Sequence, residues 1–353
     1  MKNLLLFFGV LFVLLSSLFS QSSGSFKQID QWKHEGAFGI NGFSFIDEQN
    51  RLVAGFAKTG HMIITRDKII EFAPRGEGPD ELTRVYTVFL YKEGLAFVER
   101  PDKIKIFTPK GETYSCKDTK WLKRGRYMHI IRDGIFYDNK FFLAGMEGIP
   151  PKGEPYNYNY PEYSYMKVYA DNGDSLKQLV RKKITPPSLF IYMGSQVVGY
   201  NSDRVFVMLD NELKVYVVST KSLEIVKEVQ LELPPFYKKM PECFYAWKEY
   251  KDAAREQLID LETWDMGYSS IQEIVVDGNY LVVQIRTPVE KMKKFALLFY
   301  HAETLKLERT VFLDDLLLDA KDGKYYCFAN GNPGRDDNTD ECIINIYRFK
   351  EKK

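Results

Sequence analysis

Asp277-Gly278-Asn279-Tyr280-Leu281-Val282 sets a tight polar turn directly before a run of strand-forming residues. Asp322-Gly323-Lys324-Tyr325-Tyr326-Cys327 repeats the arrangement further along the chain. Aspartate, asparagine and glycine enter turn conformations at little cost, whereas aromatic and β-branched residues favour a pleated sheet. Earlier copies are Glu48-Gln49-Asn50-Arg51-Leu52-Val53-Ala54, Lys92-Glu93-Gly94-Leu95-Ala96-Phe97, Asp138-Asn139-Lys140-Phe141-Phe142-Leu143 and Ser202-Asp203-Arg204-Val205-Phe206-Val207. Their first apolar residues, Leu52, Leu95, Phe141, Val205, Tyr280 and Tyr325, are spaced by 43, 46, 64, 75 and 45 residues. The shorter gaps match the ~40–50 residues of a four-stranded propeller blade.

A second anchor follows twelve positions on, from Leu52 to Ile64, Leu95 to Phe107 and Val205 to Val217. It predicts a second hairpin partner in each copy. The last copy runs out after Ile343–Phe349 without an outer strand, while Phe26–Lys33 is a strand-like segment belonging to no complete copy. The first segment therefore supplies the missing outer strand and closes the ring, which removes the edges an open ring would expose. The expectation is an all-β, six-bladed β-propeller of four-stranded antiparallel blades over residues 26–350. Two tandem β-sandwiches would explain neither the sixfold pattern nor the orphan first strand.

The 353 residues are 45% apolar, enough for a large core, and 49 Lys plus Arg stand against 48 Asp plus Glu. That balance argues against a nucleic-acid partner, which would need a basic face to neutralise phosphates. Residues 1–20 read as a signal peptide: Lys2, then the apolar run Leu4–Leu15, then small residues to Ser20. Cleavage is expected after Ser20 or Gly24, and no cysteine precedes Cys116 to carry a lipid. The mature protein is expected to be exported to the periplasm or beyond, neutral, without a transmembrane span, and monomeric.

After the first copy the chain reads Pro74-Arg75-Gly76-Glu77-Gly78-Pro79-Asp80-Glu81-Leu82. This resembles the G-x-G-P-G-E-F turn of exported bacterial six-bladed propellers related to the NHL-repeat and TolB-like families. Gly76, Gly78, Pro79 and Glu81 match the pattern, while Asp80 replaces its glycine and Leu82 its phenylalanine. The resemblance implies the same ring fold. Physically, the glycines permit positive φ and Pro79 fixes one torsion, so the segment reads as a rigid connector between blades.

All the irregular length falls in connections between second and third strands or between blades: Gly145–Tyr163, Arg286–Lys294, Ala329–Glu341 and Pro234–Gly267. Those classes emerge on one face, which becomes the candidate binding face. Tyr156, Tyr158 and Tyr160 in the first of them could stack on sugars or line a peptide groove. A helical insertion is expected over about residues 239–264, between the fourth and fifth blades. There Trp247, Tyr250, Ala254, Leu258 and Leu261 form an apolar stripe after Pro241. Arg84, Tyr86, Tyr127, His129, Tyr192, Tyr268 and Glu273 lie near the starts of inner strands and are candidates for a pocket mouth.

No H-E-x-x-H, C-x-x-C, G-x-S-x-G or phosphate-loop motif occurs. Asp336, Asn338 and Asp340 resemble the opening of a calcium loop, but Glu341 occupies the glycine position and Tyr347 that of the bidentate glutamate. An EF-hand is rejected; no cofactor is expected, with a different calcium site on these oxygens as the alternative, and an axial metal would have only His129 and Glu273 as visible ligands. Cys327 and Cys342 flank the same hairpin and could form a disulfide or remain buried thiols. The expected function is non-catalytic binding of a protein, peptide or carbohydrate partner on the long-loop face. The alternative is a metal-dependent lyase or ester/lactone hydrolase with an axial site, as some NHL-like propellers are.

Overall fold

A computed structural model describes residues 26–38, 40–56, 60–83, 85–99, 103–123, 128–148, 163–183, 195–201, 203–209, 212–239, 267–288, 293–329 and 339–349. Every helix or strand among them is a strand. Blade one comprises β2 (Ile40–Ile46), β3 (Leu52–Phe56), β4 (Gly60–Ile64) and β5 (Ile69–Phe72); blade two β6 (Val85–Tyr91), β7 (Gly94–Glu99), β8 (Lys103–Lys110) and β9 (Thr113–Trp121). Blade three comprises β10 (Met128–Tyr137), β11 (Lys140–Gly148), β12 (Tyr163–Ala170) and β13 (Ser175–Lys183). Blade four comprises β14 (Ser195–Tyr200), β15 (Arg204–Leu209), β16 (Lys214–Ser219) and β17 (Glu224–Gln230). Blade five comprises β18 (Ser270–Asp277), β19 (Tyr280–Arg286), β20 (Phe295–His301) and β21 (Leu307–Leu313). Blade six comprises β22 (Leu316–Lys321), β23 (Lys324–Phe328), β24 (Thr339–Phe349) and, last in space but first in sequence, β1 (Phe26–Phe38).

The recurring polar turn joins the first and second strands of each blade. Asp138 and Asn139 have φ of 47° and 57°, and Asp322 and Gly323 have 55° and 70°. Two consecutive positive φ angles make the hairpin turn whose twist suits right-twisted strands. The predicted partners Leu52 and Ile64, and Leu95 and Phe107, face one another. In blade four the sequence spacing is off by one, because Val205 faces Val218 rather than Val217. The connection 210–213 there is one residue longer than 57–59 or 100–102, and one residue shifts the whole register.

Between each pair of neighbouring blades lies an apolar core. Val53 and Ile63 of blade one meet Leu95, Phe97 and Phe107 of blade two, and Phe206 and Met208 of blade four meet Leu281, Val283 and Leu298 of blade five. Each such side chain, removed from water, contributes about 1.5–3 kcal/mol before entropy is subtracted. The inner strands β2, β6, β10, β14, β18 and β22 each touch the next around the ring, and β22 returns to β2.

Closure follows the predicted route. β1 runs antiparallel to β24, from Phe26 opposite Phe349 to Phe38 opposite Thr339. Phe26 stacks on Tyr347 at 5.1 Å and meets Tyr325 edge-on at 5.4 Å. A polar spine fixes the register: Gln28 and Gln31 of β1 donate to Asn345 Oδ1, and Asn345 Nδ2 donates to Asp315 Oδ2 at 2.7 Å.

The cysteine alternatives separate here. Cys327, Cys342 and Cys116 are free thiols. Cys327 faces Asn345 in the register and packs in the core between blades five and six; Cys342 packs in the core between blades six and one. An odd residue offset along β24 puts the two on opposite faces of one sheet, so the possible disulfide is not formed. The helical insertion at about 239–264 lies outside the described residues.

Candidate functional site: the axial channel and the faces around it

An innermost strand has one edge without a sheet partner, and its amides and carbonyls need others. On five inner strands the register breaks just before a polar residue: Ser44, Thr87, Asp133, Glu273 and Asp319. A bulge of this kind re-aims the next side chain. Asp133 Oδ2 accepts the amide of Val197, on the next inner strand, at 2.8 Å, and Oδ1 accepts that of Gly134 at 2.7 Å. Asp319 Oδ2 accepts the Ile46 amide at 2.5 Å, while Ser44 Oγ donates to the Leu318 carbonyl at 3.1 Å. Gln196 Nε2 donates to the Gln272 carbonyl, and Gln284 joins the start of β22 by donating to Asp315 O and accepting from Leu317 N. The inner edges are thus tied to one another by side chains.

Three of these groups are carboxyls, each enclosed by protein yet partly reached by solvent, as expected on a narrow channel wall. Burial pushes Asp133 up to about 6, opposed by the amides of Val197 and Gly134. Burial likewise pushes Asp319 up to about 7, against the amides of Ile46 and Ala320. Glu273 is held well above the usual carboxylate range, by burial first and then by the charges of Asp133 and Asp319. Asp133, Glu273 and Asp319 each follow a register break at a corresponding place on the inner strands of blades three, five and six. Among the described residues, the Glu273 carboxyl accepts only the amide of Ile274, at 3.0 Å.

Of the predicted pocket-mouth residues, Glu273 stands on inner strand β18, directly after its register break, and is half-buried. Tyr268 stands just ahead of β18 with the Lys238 ammonium over its ring at 4.7 Å. Tyr86 is a correction: it occupies the bulge of β6 and is buried in the core between blades two and three. His129 opposes Glu147 in the β10–β11 ladder, and Asp340 lies in β24; their side chains are outside the description. Arg84, Tyr127, Tyr156, Tyr158, Tyr160, Tyr192, Asp336 and Asn338 lie outside the described residues. Asp133 and Asp319 were missed by sequence reasoning. The signal available was a carboxylate in the middle of an inner strand, visible once the blades are aligned on their turns.

The turn motif is a connector held from beneath. Glu81 Oε2 accepts the Gly78 amide at 2.7 Å, and a Cβ on Gly76 would fall 2.0 Å from that oxygen. The buried Lys105 ammonium donates to the carbonyls of Gly78, at 2.9 Å, and of Glu81. Glu99, with no exposed surface, accepts the Thr83 amide and pairs with Lys103 at 3.2 Å. Asp80, where the resembled pattern has glycine, accepts the Cys116 amide at 2.6 Å.

The two faces differ. First-to-second and third-to-fourth connections are all short, and they carry contacts that staple neighbouring blades. Tyr91, Lys92 and Lys120 of blade two converge on Asp171 of blade three; Tyr200 and Arg204 of blade four reach Glu303 of blade five. The long connections 149–162, 231–269 and 329–338 all leave from the opposite face.

Arrangement and connectivity define a six-bladed β-propeller. No family model matches the chain, and no curated protein matches it. Among solved structures it is similar to a member of the DUF4221 family from Bacteroides vulgatus ATCC 8482, with a TM-score of 0.61, 13% identity, and coverage of 94% of this chain and 100% of that one. It is similar also to a Bacteroides fragilis NCTC 9343 protein described as a "Putative exported protein", with a TM-score of 0.54, 13% identity, and coverage of 93% and 95%. At that identity the likeness establishes the fold.

Proposed function

We propose that this is an exported, non-catalytic propeller that binds a protein, peptide or carbohydrate on the face carrying its long connections. The observation that carries this reading is the asymmetry between the faces: one has short turns committed to staples between blades, the other has all the spare length. Loops on a rigid scaffold are where binding residues concentrate. Export is supported by the apolar run Leu4–Leu15 and by the description of the similar B. fragilis protein. The turn at Gly76–Glu81 supports kinship with NHL-repeat and TolB-like propellers. An axial metal-dependent lyase or ester/lactone hydrolase is the less favoured alternative, because Asp133 and Asp319 are already committed to strand amides.

The test is a glycan and peptide array probed with the wild-type protein and with a variant carrying a short Gly-Ser link in place of 149–162. The reading expects binding that the link abolishes while the melting temperature stays unchanged. Binding that survives the link but is lost on Asp171→Ala would move the site to the other face. Stoichiometric metal in the purified protein would favour the enzyme.

A further inference from the structure

We propose that the short-turn end of blade six binds the phosphate group of a small molecule, on a row of four cations that crosses the whole blade. The inference is independent of what binds on the long-loop face. At the turn Asp322–Gly323 the ladder opens with Lys321 opposite Lys324. Lys324 in turn stands opposite Arg348, and Arg348 opposite Lys27 of the closing strand β1. Residues directly opposite one another share a face of the sheet, with Cβ atoms ~4.5–5.5 Å apart, and like charges so placed repel. Each of the four strands thus contributes one positive charge, and the last arrives only when the ring closes.

In blades three to five the matching rows hold at most one lysine or arginine. They read Tyr137, Lys140 and Ala170; Tyr200, Arg204 and Ser219; and Asp277, Tyr280 and His301. Lys140 and Arg204 each pair with a carboxylate, Asp138 at 2.9 Å and Glu303 at 2.7 Å. Blade six differs. Its Lys321 ammonium donates to the Asp47 carbonyl at 2.7 Å, and Arg348 Nη2 donates to the Asp322 carbonyl at 3.2 Å. A carbonyl accepts a hydrogen bond but brings no net charge. Among the described residues, none of the four cations has an ion-pair partner. The acids along the seam with blade one are engaged elsewhere, Asp47 by Arg51 at 2.7 Å and Asp30 by Arg66 at 3.5 Å.

The outer half of the row stands in the wall of a cavity. A space of about 840 Å³ lies between Lys27–Ile29, the turn Asp322–Gly323 and Arg348–Phe349, a size that suits a small molecule. Lys27 and Arg348 are exposed, so their charged ends are open to a ligand. A guanidinium fork matches two oxygens of an oxyanion, and an ammonium beside it adds a further donor. Asp322, in the turn, offsets one of the four charges and leaves a surplus of three. A phosphate group, with close to two negative charges, meets more of that surplus than a carboxylate can. Ile29, 51% exposed, offers an apolar wall to whatever the phosphate is attached to.

Isothermal titration calorimetry on the purified protein tests this, with inorganic phosphate and phenyl phosphate as separate probes and chloride holding the ionic strength equal. One equivalent should bind. Tighter binding of phenyl phosphate would identify an organic phosphate as the ligand, and equal binding the free ion; either is phosphate recognition. Arg348→Gln and Lys27→Gln, on different strands, should each weaken binding about tenfold, as the loss of one charge-assisted hydrogen bond implies. Lys140→Gln, in the matching row of blade three, should bind as the wild type does. Circular dichroism checks that each variant folds. The proposal is overturned if neither probe binds with a dissociation constant below about 10 mM, or if both folded blade-six variants bind unchanged. It is overturned equally if Lys140→Gln loses as much, or if benzoate, a carboxylate on the same ring, binds as tightly as phenyl phosphate.

Discussion

Burying an ammonium ion is costly unless oxygens replace its water, and Lys105 finds carbonyls at Gly78 and Glu81. Removing that charge would take a donor from the carbonyls of Gly78 and Glu81 and the ammonium from beside the fully buried Glu99 carboxylate, 3.9 Å away. Lys105→Met should cost about 3 kcal/mol in urea unfolding, whereas exposed Lys117→Met should change stability by less than ~0.5 kcal/mol. Legibility at this scale was uneven. The place of Glu273 on an inner strand was readable, because it stands near the start of β18. Asp133 and Asp319 were not, since a plain two-residue alternation gives no hint of the bulges that re-aim them. Tyr86 failed for the same reason: the bulge of β6 leaves it in the core and presents Thr87 instead. Lys105 also gave no warning, because a lysine in an alternating strand ordinarily reads as solvent-facing.

At the scale of elements, β1 is held on β24 by aromatic contacts at one end and by the Asn345 spine in the middle. Asn345→Ala would leave Gln28, Gln31 and Asp315 short of partners. It should lower stability by about 1–3 kcal/mol, measured by chemical denaturation, with a weakened register of β1 seen as faster exchange of Gln31 and Trp32. Cys327 and Cys342 lie in different cores, and burial raises both thiols. Both should therefore resist a thiol reagent in the native state and react after unfolding, and a reductant should leave the melting temperature unchanged. A mass lower by two protons in the native protein would contradict this. The strands and their order were readable in the sequence because the turn before each second strand repeats. The pairing of blade four was not, since a single extra residue in 210–213 shifts the register without altering the hydrophobic pattern.

For the whole molecule, the ring closes only when a segment from the chain's beginning meets its end. A protein starting at residue 40 would leave β24 as an open edge, with Tyr347 and Phe349 uncovered. It should aggregate on size-exclusion chromatography, and a synthetic peptide of residues 26–38 added during refolding should restore the monomer peak. The sixfold architecture and this closure were legible because both rest on counting copies. The axial chemistry was not, because it depends on three strands far apart in sequence. One feature of the closure also sets direction. Phe26 enters β1 opposite Phe349, beside the short turn at Asp322–Gly323, so it stands on the side of the short turns. A surface link joined directly to Phe26 would therefore grip the propeller by that side. The strand ends Gly148, Gln230 and Phe328, from which the long connections set out, would then point away from the surface.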